Sequence, residues 1–419
     1  MVVSRRTFLK AAAAGVGVAA LPRPGLAQGK TVKLGGVFPV TGPLAEVGQD
    51  CRVGAQMAVD AVNAAGGIKS MGGAKIELIT GDSQTKVEVA RAEAERLING
   101  GAQILTGGFH SAHVATIAPL AQQRRIPYVI DITAADSITA NIARSVKEGQ
   151  QKVQYVYRNF PGSATFSRNA VRYMNDIFAT ARTPPKRVVV MYTNDLFGKT
   201  VADAFSATHK AASPAPGWEI VEVIPYPENA VDLSAEVSRA RSLRPDIIAP
   251  LTRPATAILL LEEIAKQRLD IMGVISPGAP GLYEGRQIEQ LKQRIEHVMD
   301  CVPWPNSKSA EVQKVAAEYT KRTGKGFDTS ASFTYEAVQV IADALERAKS
   351  VDPDVVVDAL KKTSFSGGIN VSTGPVRFND TGDNPNATTA VIQILGQKPR
   401  VVWPKENAEQ AFVFPRPKA

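Results

Sequence analysis

Thr106-Gly107-Gly108-Phe109-His110-Ser111-Ala112-His113-Val114 joins two kinds of periodicity. The apolar run Ala102-Gln103-Ile104-Leu105 before it has the length of a buried strand, and Val114-Ala115-Thr116-Ile117 after it begins a helical pattern. The stretch therefore reads as a strand, a glycine turn and a first helical turn. A helix start carries unpaired N–H groups and a partial positive charge. With small residues at its mouth it suits a carboxylate or phosphate. An ordinary βα turn capped by Ser111 fits the same residues.

Working outward, the same rhythm repeats. Val32–Phe38 reads as a strand, and Ala45–Ala65 as a helix whose stripe is Val53, Met57, Ala61 and Ala65, ended by Gly66-Gly67. Lys75–Thr80 is the next strand and Lys86–Ile98 the next helix. The helix after Ser111 is expected to break at Pro119, and Tyr128-Val129-Ile130 is a fourth strand. After Asn159-Phe160-Pro161-Gly162, read as a crossing, the pattern restarts with strands at 187–192, 219–225, 246–250 and 272–275. Cys301–Pro305 reads as a second crossing and Ser372–Phe378 as a third. Three helices lie between them, and a strand pair follows at 390–395 and 400–403. The expected fold class is α/β, two Rossmann-like lobes joined by a three-strand hinge. Lobe 1 is expected over 30–158 plus 304–374, and lobe 2 over 159–303 plus 375–419.

The N-terminus, Ser4-Arg5-Arg6-Thr7-Phe8-Leu9-Lys10 followed by an apolar run to Leu21, is a twin-arginine export motif. Gly25-Leu26-Ala27 offers small residues for cleavage after Ala27, so residues 1–27 are expected to be removed and the mature protein to be periplasmic. The chain of 419 residues has a net charge of +9. Removing Arg5, Arg6, Lys10 and Arg23 with the leader leaves +5, a mild bias without arginine-rich runs, so no nucleic acid is expected. Cys51 and Cys301 could pair or stay as separate buried thiols.

Catalytic signatures are missing. His110 and His113 stand three apart without a third ligand, so no metal is expected. Gly107-Gly108 lacks the lysine of a P-loop and the Gly-x-Gly-x-x-Gly of a dinucleotide site, and no cofactor is expected. Two lobes without an active site suit a clamshell binder, with its ligand outside the carboxyl ends of the strands.

About Val32 to Val402 resembles the leucine/isoleucine/valine-binding protein family, the type I periplasmic solute receptors of ABC importers. The matching pieces include Gly36–Ala45, Ala58–Ile68, Thr106-Gly107-Gly108 with Ser111, Asn194-Asp195-Leu196-Phe197-Gly198 and Thr334-Tyr335-Glu336-Ala337. The resemblance implies a Venus-flytrap fold that captures a branched-chain amino acid or another small carboxylate and delivers it to a membrane permease. It implies no enzymatic activity, and a monomer is expected. Ser111 would bind the ligand carboxylate beside His110. Ile132-Thr133-Ala134 would form a second contact segment, with Thr133 one position off the family's register. Phe197 would cover the ligand, while Thr252, Arg253 and Gly278 would complete the second lobe's side. Two departures stand out: no acid stands at Ser276–Ala279 to meet an ammonium, the nearest being Glu284, and Val47 occupies a place that is often aromatic. Both weaken an α-amino acid ligand. A periplasmic sensor partner of a membrane receptor and an enzyme exported by the twin-arginine route are the alternative functions.

Overall fold

The computed structural model describes residues 31–417, and the leader with its twin-arginine motif lies outside them. Lobe 1 is built on five parallel strands: β1 (Val32–Phe38), β2 (Ile76–Asp82), β3 (Ile104–Gly107), β4 (Tyr128–Ile130) and β5 (Val156–Arg158). Their order is β2-β1-β3-β4-β5. Between them run α1 (Ala45–Ala64), α2 (Val87–Asn99), α3 (Ser111–Gln123) and α4 (Asp136–Lys147). Helices cover the sheet, which explains why β3 and β4 are buried throughout.

The second lobe begins with α5 (Ser163–Phe178). It continues through β6 (Arg187–Thr193), α6 (Leu196–Ala211), β7 (Glu219–Tyr226), α7 (Ser234–Ser242), β8 (Ile247–Leu251), α8 (Pro254–Lys266), β9 (Gly273–Ser276), α9 (Gly285–Leu291) and β10 (Met299–Val302). The chain then returns to lobe 1 with α10 (Ala310–Thr323), α11 (Thr329–Ala348) and α12 (Pro353–Lys361). It ends on lobe 2 with β11 (Ala390–Ile394) and β12 (Pro399–Trp403). The seven strands order as β12-β11-β10-β9-β8-β6-β7, parallel except for the antiparallel pairs β10–β11 and β11–β12.

The chain passes between the lobes at three places, and these lie side by side. Arg158 bridges Asp383, and Pro305 bridges Asn370. Arg158 is 1% exposed and organises this junction. Its Nη2 donates to Asp136 Oδ1 at 2.8 Å, its Nε to Asp383 Oδ1 at 2.9 Å and its Nη1 to the Thr133 carbonyl at 3.0 Å. Asp136 Oδ2 in turn accepts from Ser163 Oγ at 2.6 Å and from Ala164 N at 2.9 Å, at the start of α5. One buried guanidinium thus ties two passages to the turn after β4. Burial tends to raise Asp136, but Arg158 and the Ser163 hydrogen bond hold its carboxyl below the ordinary range.

Several sequence expectations need correction. The buried face of α1 is Val47, Cys51, Ala55 and Ala58; Val53 is half-buried, and Ala61 and Ala65 are exposed. The stripe is rotated because α1 packs on α11 as well as on the sheet: a Cβ on Gly54 would sit 2.2 Å from the Ala331 carbonyl oxygen. Pro119 does not break α3, which runs continuously through it. Cys301 and Val302 belong to β10, so the second passage starts later, at Pro303. Helix α4 was not anticipated. Cys51 and Cys301 are both buried and unpaired, one on each lobe.

Candidate functional site

The turn after β3 takes a conformation that few residues tolerate. Gly107, Gly108 and Phe109 have φ of 91°, 128° and 51° in succession. A Cβ on Gly107 would lie 2.5 Å from the Val37 carbonyl oxygen, and one on Gly108 2.3 Å from Val114 Cγ2. The glycines let the chain double back between β1 and α3. This carries Phe109 and Ser111 to the carboxyl end of the sheet.

The cap of α3 is not Ser111. His110 takes that role, its Nδ1 accepting from Ala112 N at 3.1 Å. Ser111 is 1% exposed, yet its Oγ has no hydrogen-bond partner among the described residues. The turn after β4 repeats this condition: Thr133 is buried and its Oγ1 is also unpartnered. Its backbone, by contrast, is held firmly. The Thr133 carbonyl accepts from Arg158, and Asp131 accepts from Ile132 N at 2.7 Å and Thr334 Oγ1 at 2.6 Å. Burial pushes Asp131 up to about 6, against those hydrogen bonds.

Across from these turns, lobe 2 presents Arg253, the cap of α8. Its Nε and Nη2 both donate to Asp195 Oδ2, at 2.8 and 2.5 Å, and both side chains are 5% exposed. Asp195 Oδ1 accepts from Gly198 N at 2.7 Å, so this carboxylate is fully engaged. The Arg253 guanidinium carbon lies 4.7 Å over the Phe197 ring. Its Nη1 makes no hydrogen bond to another described residue.

Between the lobes is a cavity, about 430 Å³ of non-atom space counting its open mouth. Phe109, Ser111, Ile132, Thr133, Ala134 and Thr329 line it from lobe 1. Phe166, Phe197, Arg253, Gly278, Ala279, Pro280, Tyr283 and Val302 line it from lobe 2, with Phe160 of the first passage at the boundary. Gly278 has φ of 126°, and a Cβ there would lie 2.3 Å from Phe166, so glycine allows that ring to close the wall. The cavity is apolar over most of its surface. Among the described residues, Arg253 is the only charged one that lines it.

Seven of the nine expected ligand contacts therefore come together: Ser111, Ile132, Thr133, Ala134, Phe197, Arg253 and Gly278. His110 and Thr252 turn elsewhere. His110 Nε2 faces Glu228 Oε1 at 2.8 Å, and Thr252 Oγ1 donates to the Pro280 carbonyl at 2.9 Å. Val47 is buried in the core of lobe 1 instead of lining the cavity. Most of the aromatic wall escaped the sequence reading, because Phe160, Phe166 and Tyr283 come from the first passage, from α5 and from the turn after β9. A further acid was also missed: Asp300, on β10, accepts from Ala279 N at 3.2 Å. Glu284 folds back onto Gly281 N at 2.7 Å. Neither lines the cavity, and burial holds both carboxyls well above the ordinary range.

His110, Asp195 and Glu228 bring three ligand-type atoms within 4.8 Å of one another. A cation does not suit them, because the Arg253 guanidinium already neutralises Asp195 and lies 3.7 Å from Glu228.

A family model described as periplasmic binding protein matches residues 31–398. The chain belongs to that family. Among curated relatives it is similar to the Leu/Ile/Val-binding protein homolog 8 of Brucella abortus, with 26% identity over 394 residues, 90% of this chain and 91% of the relative. Among solved structures it is similar to a solute-binding protein of an ABC transporter from R. palustris in complex with benzoate. That match has a TM-score of 0.74 and 19% identity, covering 89% of this chain and 95% of the other. It is equally similar to the branched-chain amino acid binding protein LivJ from Streptococcus pneumoniae in complex with isoleucine. There the TM-score is 0.72 and the identity 19%, covering 92% of this chain and 100% of the other. This periplasmic binding protein is thus a solute receptor and not an enzyme, with the two-lobed α/β fold of its neighbours.

Proposed function

We propose that this periplasmic binding protein serves an ABC importer and captures a small carboxylate with an apolar body, aromatic or aliphatic, and no ammonium group. The chain would be exported by the twin-arginine route, cleaved after Ala27, and would deliver its ligand as a monomer to a membrane permease. The observation that carries this reading is the polar complement of the cavity. It offers two unpartnered hydroxyls, Ser111 Oγ and Thr133 Oγ1, and one cation, Arg253, but no carboxylate. Hydroxyls and a guanidinium satisfy an anion. A buried ammonium would have no counter-charge, which costs several kcal/mol, on the order of the desolvation of an unpaired ion.

The rings of Phe109, Phe160, Phe166, Phe197 and Tyr283 suit a flat or branched apolar body. Both ligand classes occur among the fold neighbours, benzoate in one and isoleucine in another, so the fold alone does not choose between them. The charge of this cavity favours the first. A thermal-shift panel of benzoate and its hydroxylated forms, short aliphatic acids, and the branched-chain amino acids tests the reading. The acids without an amine are expected to raise the melting temperature and the amino acids to leave it unmoved, because only a binder shifts the unfolding equilibrium. Stabilisation by leucine or isoleucine alone would refute it.

A further inference from the structure

Two buried histidines lie where the lobes meet, beside the cavity and outside its wall. The rings of His110 and His113 stack with centroids 4.7 Å apart. The partners of His110 fix its protonation. Nδ1 accepts a hydrogen from Ala112 N, so the ring hydrogen sits on Nε2 and is donated to Glu228 across the cleft. That contact joins lobe 1 to lobe 2. His113 is 1% exposed, and neither of its ring nitrogens reaches hydrogen-bonding geometry. A charged imidazole there would leave two N–H donors unmet inside the protein.

The groups facing this pair come from both lobes. From lobe 1 there are the two rings themselves and the Thr85 main chain. From lobe 2 there are Arg253, Glu228, and Asp195, whose Oδ2 is 3.7 Å from His110 Nε2. Glu228 favours a positive imidazole, while burial, the other ring and Arg253 oppose it. For His113 burial dominates, followed by His110 and Arg253, and it pushes the ring down to about 3. The His113 ring is neutral where lobe 2 packs over it.

We propose that closing the lobes expels a proton from His113, so that ligand capture weakens as pH falls below the ordinary imidazole range. When the lobes part, Glu228 and Arg253 leave with lobe 2, and the His113 ring meets water and titrates near the usual value of about 6.5. The sign follows from linkage. A base whose value is depressed in the closed form favours closure above about 6.5 and opposes it progressively below. This one linked ring gives a loss of about tenfold in affinity per pH unit below that point. His113 is then a positioning residue: it senses whether lobe 2 is in place without touching the ligand. The proposal rests on the cavity being a ligand site that closes, and its test separates the two.

Calorimetry with benzoate at pH 6.0, in two buffers of different ionisation enthalpy, counts the protons released on binding. The expected release is about 0.8 proton, from a His113 ring that titrates near 6.5 in the open form. His113→Gln is expected to remove that ring's share and to flatten the affinity profile between pH 5 and 7. Equal heats in the two buffers overturn the proposal. NMR of the ligand-free full-length mature protein gives a second readout. The His113 ring signals are expected to titrate near 6.5, and a ring that stays neutral down to pH 5 overturns the proposal. If benzoate gives no heat, the carboxylate reading fails by itself. The free-protein titration then decides the proton linkage: a midpoint near 6.5 supports it, and none overturns it.

Discussion

The two faces of the cleft are built on opposite principles. On lobe 1 the backbone is fully held while the hydroxyls are left free. Arg158 and Asp131 fix the turn after β4, His110 caps α3, and Ser111 and Thr133 keep their oxygens unpartnered. On lobe 2 the polar groups satisfy one another. Arg253, Asp195 and Gly198 N form a closed set, and Phe197 lies under the guanidinium. A free hydroxyl in a buried place is a cost that a ligand can remove. A paired cation beneath an aromatic ring can supply field without giving up its partner. Recognition is therefore expected on lobe 1, and an electrostatic lid on lobe 2.

The largest effect should come from breaking the satisfied side. Asp195→Ala leaves the Arg253 guanidinium buried without its carboxylate and uncaps α6. Denaturant unfolding of the free protein is expected to show a loss of about 3–5 kcal/mol. A loss well under 1 kcal/mol would mean that lobe 2 is not organised by this pair. On lobe 1 the same kind of change should behave differently. Ser111→Ala removes a group with nothing to lose in the free protein, so its unfolding free energy should hold or rise slightly. Benzoate affinity should fall by about 1–3 kcal/mol in calorimetry, the usual worth of a hydrogen bond to a charged group. Unchanged affinity would remove Ser111 from the site. Phe197→Leu keeps an apolar wall but removes the ring under Arg253, and a smaller affinity loss of about 0.5–2 kcal/mol is expected.

The smallest effect concerns the link between the faces. Burial tends to raise Glu228, but the His110 hydrogen bond and then Arg253 hold it well below the usual carboxylate range. A depressed carboxyl supports closure above its ordinary value of about 4.3, and that support is lost as pH falls further. Glu228 is half-exposed, so solvent screening keeps the contribution modest. Glu228→Gln should flatten the acid limb of closure below about 4.3 in small-angle scattering of the benzoate complex, while leaving the histidine limb above it. An unchanged acid limb would exclude Glu228 from the link.

The sequence conveyed the fold well because βα alternation is a local signal. It placed the turn of Gly107 and Gly108 and pointed to Arg253 and Phe197 through short motifs. It failed where distant segments meet. The α1 stripe was misread because α11, more than 260 residues away in the chain, buries a second face of that helix. Pro119 broke nothing: α3 runs continuously through it. His110 and not Ser111 caps α3, since capping depends on which side chain reaches the helix start, and a histidine nitrogen is as able to accept as a serine oxygen. The aromatic wall was illegible for the same reason: the residues that form it converge only once three passages lie side by side.

The most direct test is calorimetric titration of the wild-type protein with benzoate and, separately, with isoleucine at pH 7.5. The account predicts benzoate tighter by at least about a hundredfold, the difference that an unpaired buried ammonium imposes. Isoleucine binding as tightly as benzoate, or more tightly, would contradict it.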